Sequence, residues 1–495
     1  MSKTAVIIGA GFGGLSLACQ MAHQGWKVKV LEKTEQSGGR ARLYSTDGYQ
    51  FDMGPSWYLM PEVFEDFFKA LGKNRSDYYQ LDKLETFYKV FFEGQKSVTV
   101  TSDLEKTKAL FETLEPNGNE KLTRYLKSAK YKYNIAMKEF LYREYKSIFS
   151  FFNWRMLTEG LKLDVFKTLD KFVSRFFTDH RAKKILEYAM VFLGNSPSNA
   201  PALYSIMSYV DLDLGVFFPK GGMNGVARAI EKLAIELGVE FFYNTEVTKL
   251  VVEKDRVSEI CTYKNGSLGE TYTADVIINA GDYHWGETQL LEPKYRSYSA
   301  EWWEKKIIAP SMFIVFLGIN KKIPSLEHHN LYFSHDWDAH FSTIFEHPNW
   351  PENPCFYLSA ISKTDPLMAP AGHENLFLLV PIAPGLEDTD SIREVYYEKV
   401  MDHVETILDF NLRESVVVKR IYSGRDFEKD YRSFKGTALG LAHTLFQTAV
   451  FRPAHRSKKL KNLYYTGQFT HPGVGVPMTL IASDITAKRI EKEHL

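Results

Sequence analysis

VIIGAGFGGLSLA, residues 6–18, decides how the rest of the chain is read. Ala5 to Ile8 is a short, unbroken apolar run, as a parallel strand covered on both faces requires. It leads straight into Gly9, Gly11 and Gly14, the spacing GxGxxG, with Gly13 beside them. Leu15, Ala18 and Ala22 then fall on one helical stripe, and Gly25 marks the helix stop. A second strand, Val28 to Leu31, ends in Glu32. Each piece has a physical task. Gly9 permits a tight turn, and Gly11 lets backbone amides approach a pyrophosphate. Gly14 lets the helix lie close on the strand, and Glu32 accepts hydrogen bonds from ribose hydroxyls. A bare GxGxxG also occurs in glycine turns that hold nothing. Strand, helix and acid together make the dinucleotide reading specific, and an acid at 32 disfavours the 2′-phosphate of NADP.

Two further glycine loops extend the pattern. Lys33 to Arg40 closes on Gly38-Gly39-Arg40, a second close backbone approach with a cation near phosphate. Phe51 to Trp57, FDMGPSW, then places Gly54, Pro55 and Ser56 where a plain NAD domain continues to alternate strands and helices. At the far end of the chain, residues 464–483 read YYTGQFTHPGVGVPMTLIAS. The spacing predicts a strand over 462–467 ending at Gly467 and bare backbone at Gly473 and Gly475-Val476. A helix is predicted from about Thr479, its N-terminal dipole aimed at a bound ligand.

Composition sets limits. The 495 residues exceed the usual size of a single core, so two or three domains are expected. Lys plus Arg equals Asp plus Glu at 61 each, so no global field invites nucleic acid. Cys19, Cys261 and Cys355 are too few and too scattered for a disulfide framework or a zinc site, and no metal is expected. The strand starting at residue 3 leaves no room for a cleavable signal peptide, and runs such as MFIVFLGI (312–319) are too short to span a bilayer. A cytoplasmic protein, soluble or on a membrane surface, is the expectation.

GAGFGG with Glu32, GGRAR (38–42), FDMGPSW and the unbroken THPGVGVP of 470–477 closely resemble the bacterial phytoene desaturase family of FAD flavoproteins, including its hydroxycarotenoid 3,4-desaturase branch. The matches span nearly the whole chain. The resemblance implies an α/β protein: a Rossmann-type FAD-binding domain of the amine oxidase-like flavoprotein fold, an interleaved mixed-sheet substrate domain, and a helical lid or membrane-contact region. The expected division is 1–75, 217–295 and 435–495 for the FAD domain, 76–216 for the lid and 296–434 for the substrate sheet. The resemblance assigns Val247 to the adenine end and brings Gly281 near the cofactor. It implies hydride loss from a linear C40 polyene to FAD, quinone or oxygen as final electron acceptor, and peripheral membrane association.

Between these motifs the pattern is coarser. Residues 62–190 read as helix-rich, and 140–163 mixes Phe140, Phe149, Phe151, Phe152 and Trp154 with Arg143, Lys146 and Arg155, as an interfacial helix or a buried lid helix does. A helix is predicted after Gly222 and closed by Gly238, followed by strands at 239–243 and 246–252, a hairpin around Asn265-Gly266, and a strand at 274–279. Runs in 310–420 suit a largely antiparallel sheet able to floor an apolar tunnel. No side-chain arrangement assigns catalysis. His471 is a candidate for orienting substrate or shuttling a proton, or is a structural turn histidine; His284 carries less. A carotenoid isomerase or saturase, and a non-catalytic prenyl-lipid escort of the Rab GDP-dissociation inhibitor type, are the competing readings. An amine oxidase is neither placed nor excluded by these motifs.

Overall fold

The opening motif takes the form its glycines dictate. In the computed structural model, which describes residues 3–145, 164 and 166–494, Thr4–Ile8 is strand β1, Phe12–His23 helix α1 and Lys27–Leu31 strand β2. Gly9 turns with φ +99° and Gly25 with φ +89°, both in the left-handed region. Later segments return to the same sheet: helix α2 (Gly222–Glu236), β3 (Glu240–Phe242), β4 (Val276–Asn279), β5 (Leu463–Tyr465) and helix α3 (Val476–His494). The strand order is β5-β4-β1-β2-β3, every neighbour parallel. The chain winds outward from β1 in one direction and then in the other. The crevice beyond the carboxyl ends of β1 and β4 is therefore the switch point at which such sheets hold ligands.

α1 is the hub beneath that crevice. Leu15, Ala18 and Met21 share a core with Ile230 and Leu233 of α2 and with Ile481 and Ile485 of α3. Inside it the buried Ser16 and Ser483 hydroxyls are hydrogen-bonded at 2.7 Å, tying the first helix to the last. α3 begins at Val476, three residues ahead of the expected Thr479, and its first helical bond runs from Thr479 N to Gly475 O at 2.9 Å. The reason is Pro477, which suits a first helical turn because no donor is needed there and its φ is already set.

The second sheet has seven strands, in the order 416–422, 311–319, 374–382, 356–359, 329–333, 86–92 and 98–101. Its pairings are antiparallel except for 329–333 against 86–92. Along the 311–319 strand successive side chains alternate faces. Phe313, Val315 and Leu317 pack with Tyr396, Val400 and Val404 of the helix Asp390–Leu408, while Met312, Ile314 and Phe316 join the core on the opposite side. Strands 86–92 and 98–101 fall inside the stretch read as helix-rich lid. The β-branched run Val98-Thr99-Val100-Thr101 and the turn at Gly94 (φ +66°) are strand signals within a stretch whose hydrophobic period is irregular and whose glycines are few. The hairpin at Asn265-Gly266 is as predicted, with both residues at positive φ and Lys264 paired to Ser267. Most of the aromatic-basic segment, residues 146–163, lies outside the described residues. Among the described residues, no helix is long and apolar enough to cross a membrane.

A Cβ at Gly14 would lie 2.0 Å from the Gly9 carbonyl oxygen and 3.2 Å from the Ala280 side chain. Gly14→Ala is expected to cost at least about 3 kcal/mol or to prevent folding. Thermal unfolding of the purified variant checks this, and a melting temperature within about 2 °C of wild type would contradict it.

Candidate active site

Three glycine loops meet backbone to backbone at the switch point. Gly38 N donates to the Ala10 carbonyl at 2.8 Å, and a Cβ on Gly39 would lie 3.1 Å from Gly11 Cα. A Cβ on Gly13 would lie 3.4 Å from Gly467 Cα, and one on Gly9 3.3 Å from Gly281 N. The head of the chain, the return from β4 and the tail are thus in van der Waals contact around one space. That space is a cavity of about 1020 Å³. Of the residues expected to hold a cofactor, all but Gly14 line it; Gly14 lies beneath the loop and works through packing alone.

The polar fittings are built locally. Glu32, nearly buried at the end of β2, accepts from Ala10 N (2.7 Å) with one oxygen and from the Thr34 amide and hydroxyl (2.9 Å each) with the other. This fixes the carboxylate against the loop with one acceptor site of Oε2 to spare. The first helical bond of α1 is Leu15 N to Gly11 O, so the amides of its first turn are not spent inside the helix. Arg40 donates to Ser433 Oγ (3.1 Å) and the Thr437 carbonyl (3.3 Å), and its buried Nε has no partner among the described residues. Burial works against its charge, and the Asp282 carboxylate supports it. Lys33 lines the cavity but spends its ammonium on the Lys429 carbonyl.

Around the loop of 467–476 the groups are buried and unusual. His471 is a neutral strut: its Nε2 donates to the Phe140 carbonyl at 3.1 Å, Tyr145 meets its ring edge-on at 5.0 Å, and burial pushes its pKa down to about 4. Beneath Gly473, His443 bonds Tyr204 through Nδ1 (2.8 Å) and accepts from Val474 N through Nε2 (3.1 Å). The buried Arg452 donates to the carbonyls of Gln468 (3.1 Å), Leu441 (3.2 Å) and Phe469 (3.4 Å), and burial lowers its pKa to about 10. No carboxylate pairs with it among the described residues, so its positive charge stays on this side of the cavity. Asp282 caps the next helix through Trp285 N (2.8 Å), and burial raises its pKa to about 6. His284 is not in the cavity wall and stacks on Phe434 at 3.7 Å. Sequence reasoning missed Asp282, His443 and Arg452. Asp282 was signalled by its place after Gly281; the other two carry no spacing signal.

Away from the glycine loops the wall becomes apolar: Phe192, Leu203 and Met207 on one side, Met312, Ile314 and Leu379 of the seven-stranded sheet on the other. Phe166, Leu445 and Phe451 both line the cavity and stand exposed, so they mark its mouth.

A flavin-binding oxidoreductase is the class that this switch-point cradle and its long apolar annex define. The model of the family described as flavin containing amine oxidoreductase matches residues 12–490. The chain is 42% identical over 491 residues to a carotenoid 3,4-desaturase of Haloarcula japonica, covering 98% of this chain and 97% of that one. It is 31% identical to a zeta-carotene-forming phytoene desaturase of Myxococcus xanthus, covering 98% and 93%. Among solved structures, a putative protoporphyrinogen oxidase from Exiguobacterium shares the fold with a TM-score of 0.61 at 15% identity, covering 100% of both chains. The chain belongs to the flavin containing amine oxidoreductases, within the carotenoid desaturase family.

Two outcomes follow from this geometry. Gly11 has ordinary extended backbone (φ −75°, ψ 177°), and a Cβ there meets nothing in the protein closer than 3.9 Å. Gly11→Ala should therefore fold normally yet lose flavin affinity by more than about tenfold, roughly 1.4 kcal/mol, in a reconstitution titration. The second concerns His471, whose folded pKa lies below the unfolded value near 6.5. Between pH 6.5 and 4 the unfolded chain binds a proton that the folded one refuses, so stability is present above this window and lost as pH falls through it. His471→Gln should flatten that loss by on the order of 2 kcal/mol, measured as denaturant midpoints at the two ends of the window.

Proposed function

We propose that the protein is an FAD-dependent desaturase of a linear C40 carotenoid, acting at the C-3,4 position as the Haloarcula relative's name describes. The observation that carries this reading is the continuity of the cavity. One space of about 1020 Å³ runs from the Gly9-Gly11-Gly39 cradle to a wall of Phe192, Met207, Met312 and Leu379, whose apolar side chains suit a polyene. The 42% identity to the 3,4-desaturase, against 31% to the phytoene desaturase, favours the single-bond branch.

The residues fit FAD. Gly11 and the first turn of α1 offer unspent amides for a pyrophosphate, and Glu32 offers a spare acceptor site on Oε2 for a ribose. Val247, buried on the strand Thr245–Glu253, closes the adenine end. The orphaned Nε of Arg40 is a donor awaiting an acceptor. Arg452, which no carboxylate pairs among the described residues, and the N-terminus of α3 set positive potential at the other end of the cradle, which would favour negative charge on a bound flavin. The reaction class removes a hydride and a proton from adjacent carbons, and FAD, when bound, supplies the hydride acceptor.

The protein's own share is position and exclusion of water. The sheet residues Met312, Ile314 and Leu379 hold the chain straight against the cradle, and the lid residues Phe140 and Leu141 close over it. The exposed Phe446, packed edge-on against Phe451 at 6.1 Å, extends the apolar mouth outward. That surface suits peripheral contact with the cytoplasmic face of a bilayer, from which an insoluble polyene enters. A membrane quinone or oxygen serves as the final electron acceptor.

The test is expression in cells making phytoene and, separately, in cells making hydroxylated γ-carotene, with pigments separated by chromatography. Accumulation of a product with one additional double bond from the hydroxylated substrate is expected. Unchanged pigments in both strains, with a flavin-free protein, would instead support the lipid-escort reading.

A further inference from the structure

Next to the apolar annex lies a second, smaller cavity of about 40 Å³. Val191, Leu331, Phe333, Phe341 and Ile344 are among its walls, none of them exposed. The imidazole that reaches it, His340, is spent on the backbone: Nε2 donates to the Pro381 carbonyl and Nδ1 accepts from Cys355 N, 2.8 Å each. A water needs two to four polar partners, and a lining this apolar withholds them, so the space favours hydrocarbon. By volume it suits about two methyl groups.

Tyr188, Phe192, Tyr357 and Leu379 line both cavities, so these four side chains stand between them. They are not equally fixed. The Tyr188 hydroxyl donates to Asp211 at 2.9 Å. The Tyr357 hydroxyl is bonded to His329 Nδ1 at 2.6 Å, and His329 is stacked on Trp57 at 4.2 Å. Leu379 sits on a strand paired on both sides, opposite Ile314 and Tyr357. Phe192 is half-buried, in the 3₁₀ turn Tyr188–Leu193 that Gly194 closes at φ +67°. It meets Tyr188, Trp57 and Tyr357 ring to ring, with centroids 6.0, 6.2 and 6.4 Å away. Turning Phe192 about its side-chain bonds breaks no hydrogen bond, whereas turning either tyrosine does.

We propose that Phe192 is a swinging partition and that the second cavity takes one methyl-branched end of the polyene, so that this residue and the space behind it select the length of chain that binds. The role of Phe192 rests on the desaturase reading for the identity of the chain and adds where that chain ends. A full-length chain gains apolar contacts behind the partition that a shorter one does not reach, at the cost of turning one ring aside.

The experiment uses the FAD-loaded full chain and two linear polyenes with the same end groups, one of C40 and one shorter by a single branched five-carbon unit. Dissociation constants come from quenching of tryptophan fluorescence, and products are followed by chromatography. Wild type should bind the longer chain about tenfold more tightly than the shorter. Ile344→Phe fills the second cavity from behind, and there the ratio should collapse towards one while affinity for the shorter chain holds. Phe192→Ala removes the partition, and there the ratio should rise by a further factor of about three. Equal affinities in wild type, a ratio preserved in Ile344→Phe, or a ratio unmoved or lowered in Phe192→Ala would each overturn the proposal. If Ile344→Phe does not fold, Val191→Phe fills the same cavity from a half-buried position, and a preserved ratio there counts equally against it. Failure of the underlying reading looks different: binding ratios as expected, but no desaturated product from either chain.

Discussion

Glycine against glycine is the contact on which this molecule depends. At the carboxyl ends of β1 and β4, a Cβ on Gly13 would already be in van der Waals contact with Gly467, and one on Gly9 or Gly39 would crowd Gly281 or Gly11. These approaches bring segments from the head, middle and tail of the chain around one space. The buried Ser16–Ser483 hydrogen bond and the shared core of α1, α2 and α3 hold them there. Because the backbones themselves touch, the amides of α1 and the loop of 467–476 face the same cavity without side chains between.

The charge arrangement follows from that closeness. Glu32 is held at one end by Ala10 and Thr34, and Arg452 at the other by three carbonyls. A buried guanidinium with no carboxylate against it among the described residues is costly to fold, and it makes sense where a ligand brings negative charge. His471 and His443, both buried and both kept neutral by desolvation, act on the same loop as struts to the Phe140 carbonyl and to Tyr204. The apolar annex adds shape: one face of the seven-stranded sheet forms its floor while the other is covered by the helix Asp390–Leu408. A rigid sheet behind Met312 and Ile314 keeps the slot from collapsing on itself, as a close-packed interior otherwise would.

Much of this was legible in the residues. The glycine spacing, the acid at 32, Gly38-Gly39-Arg40 and the terminal Thr470 to Pro477 run named the nucleotide cradle, because each carries a local backbone or hydrogen-bonding requirement that only certain residues meet. The period of 222–236 and the Asn265-Gly266 turn were legible for the same reason. The last helix was expected three residues late because Pro477 was read with the bare backbone of the loop and not as part of a first helical turn, and the strands at 86–101 lay within a stretch read as helix-rich.

What the amino-acid order determined by itself, then, was everything whose physics is local: strands, caps, turns and the loops that can approach a phosphate. Only the tertiary structure decided which distant side chains share a low-dielectric space. Asp211, Tyr188, Trp57 and His329 come from four separate segments with no common spacing, and it is burial among distant carbonyls that lowers the pKa of Arg452. Burial and pairing are properties of the packed chain, so no reading along the sequence could have found them.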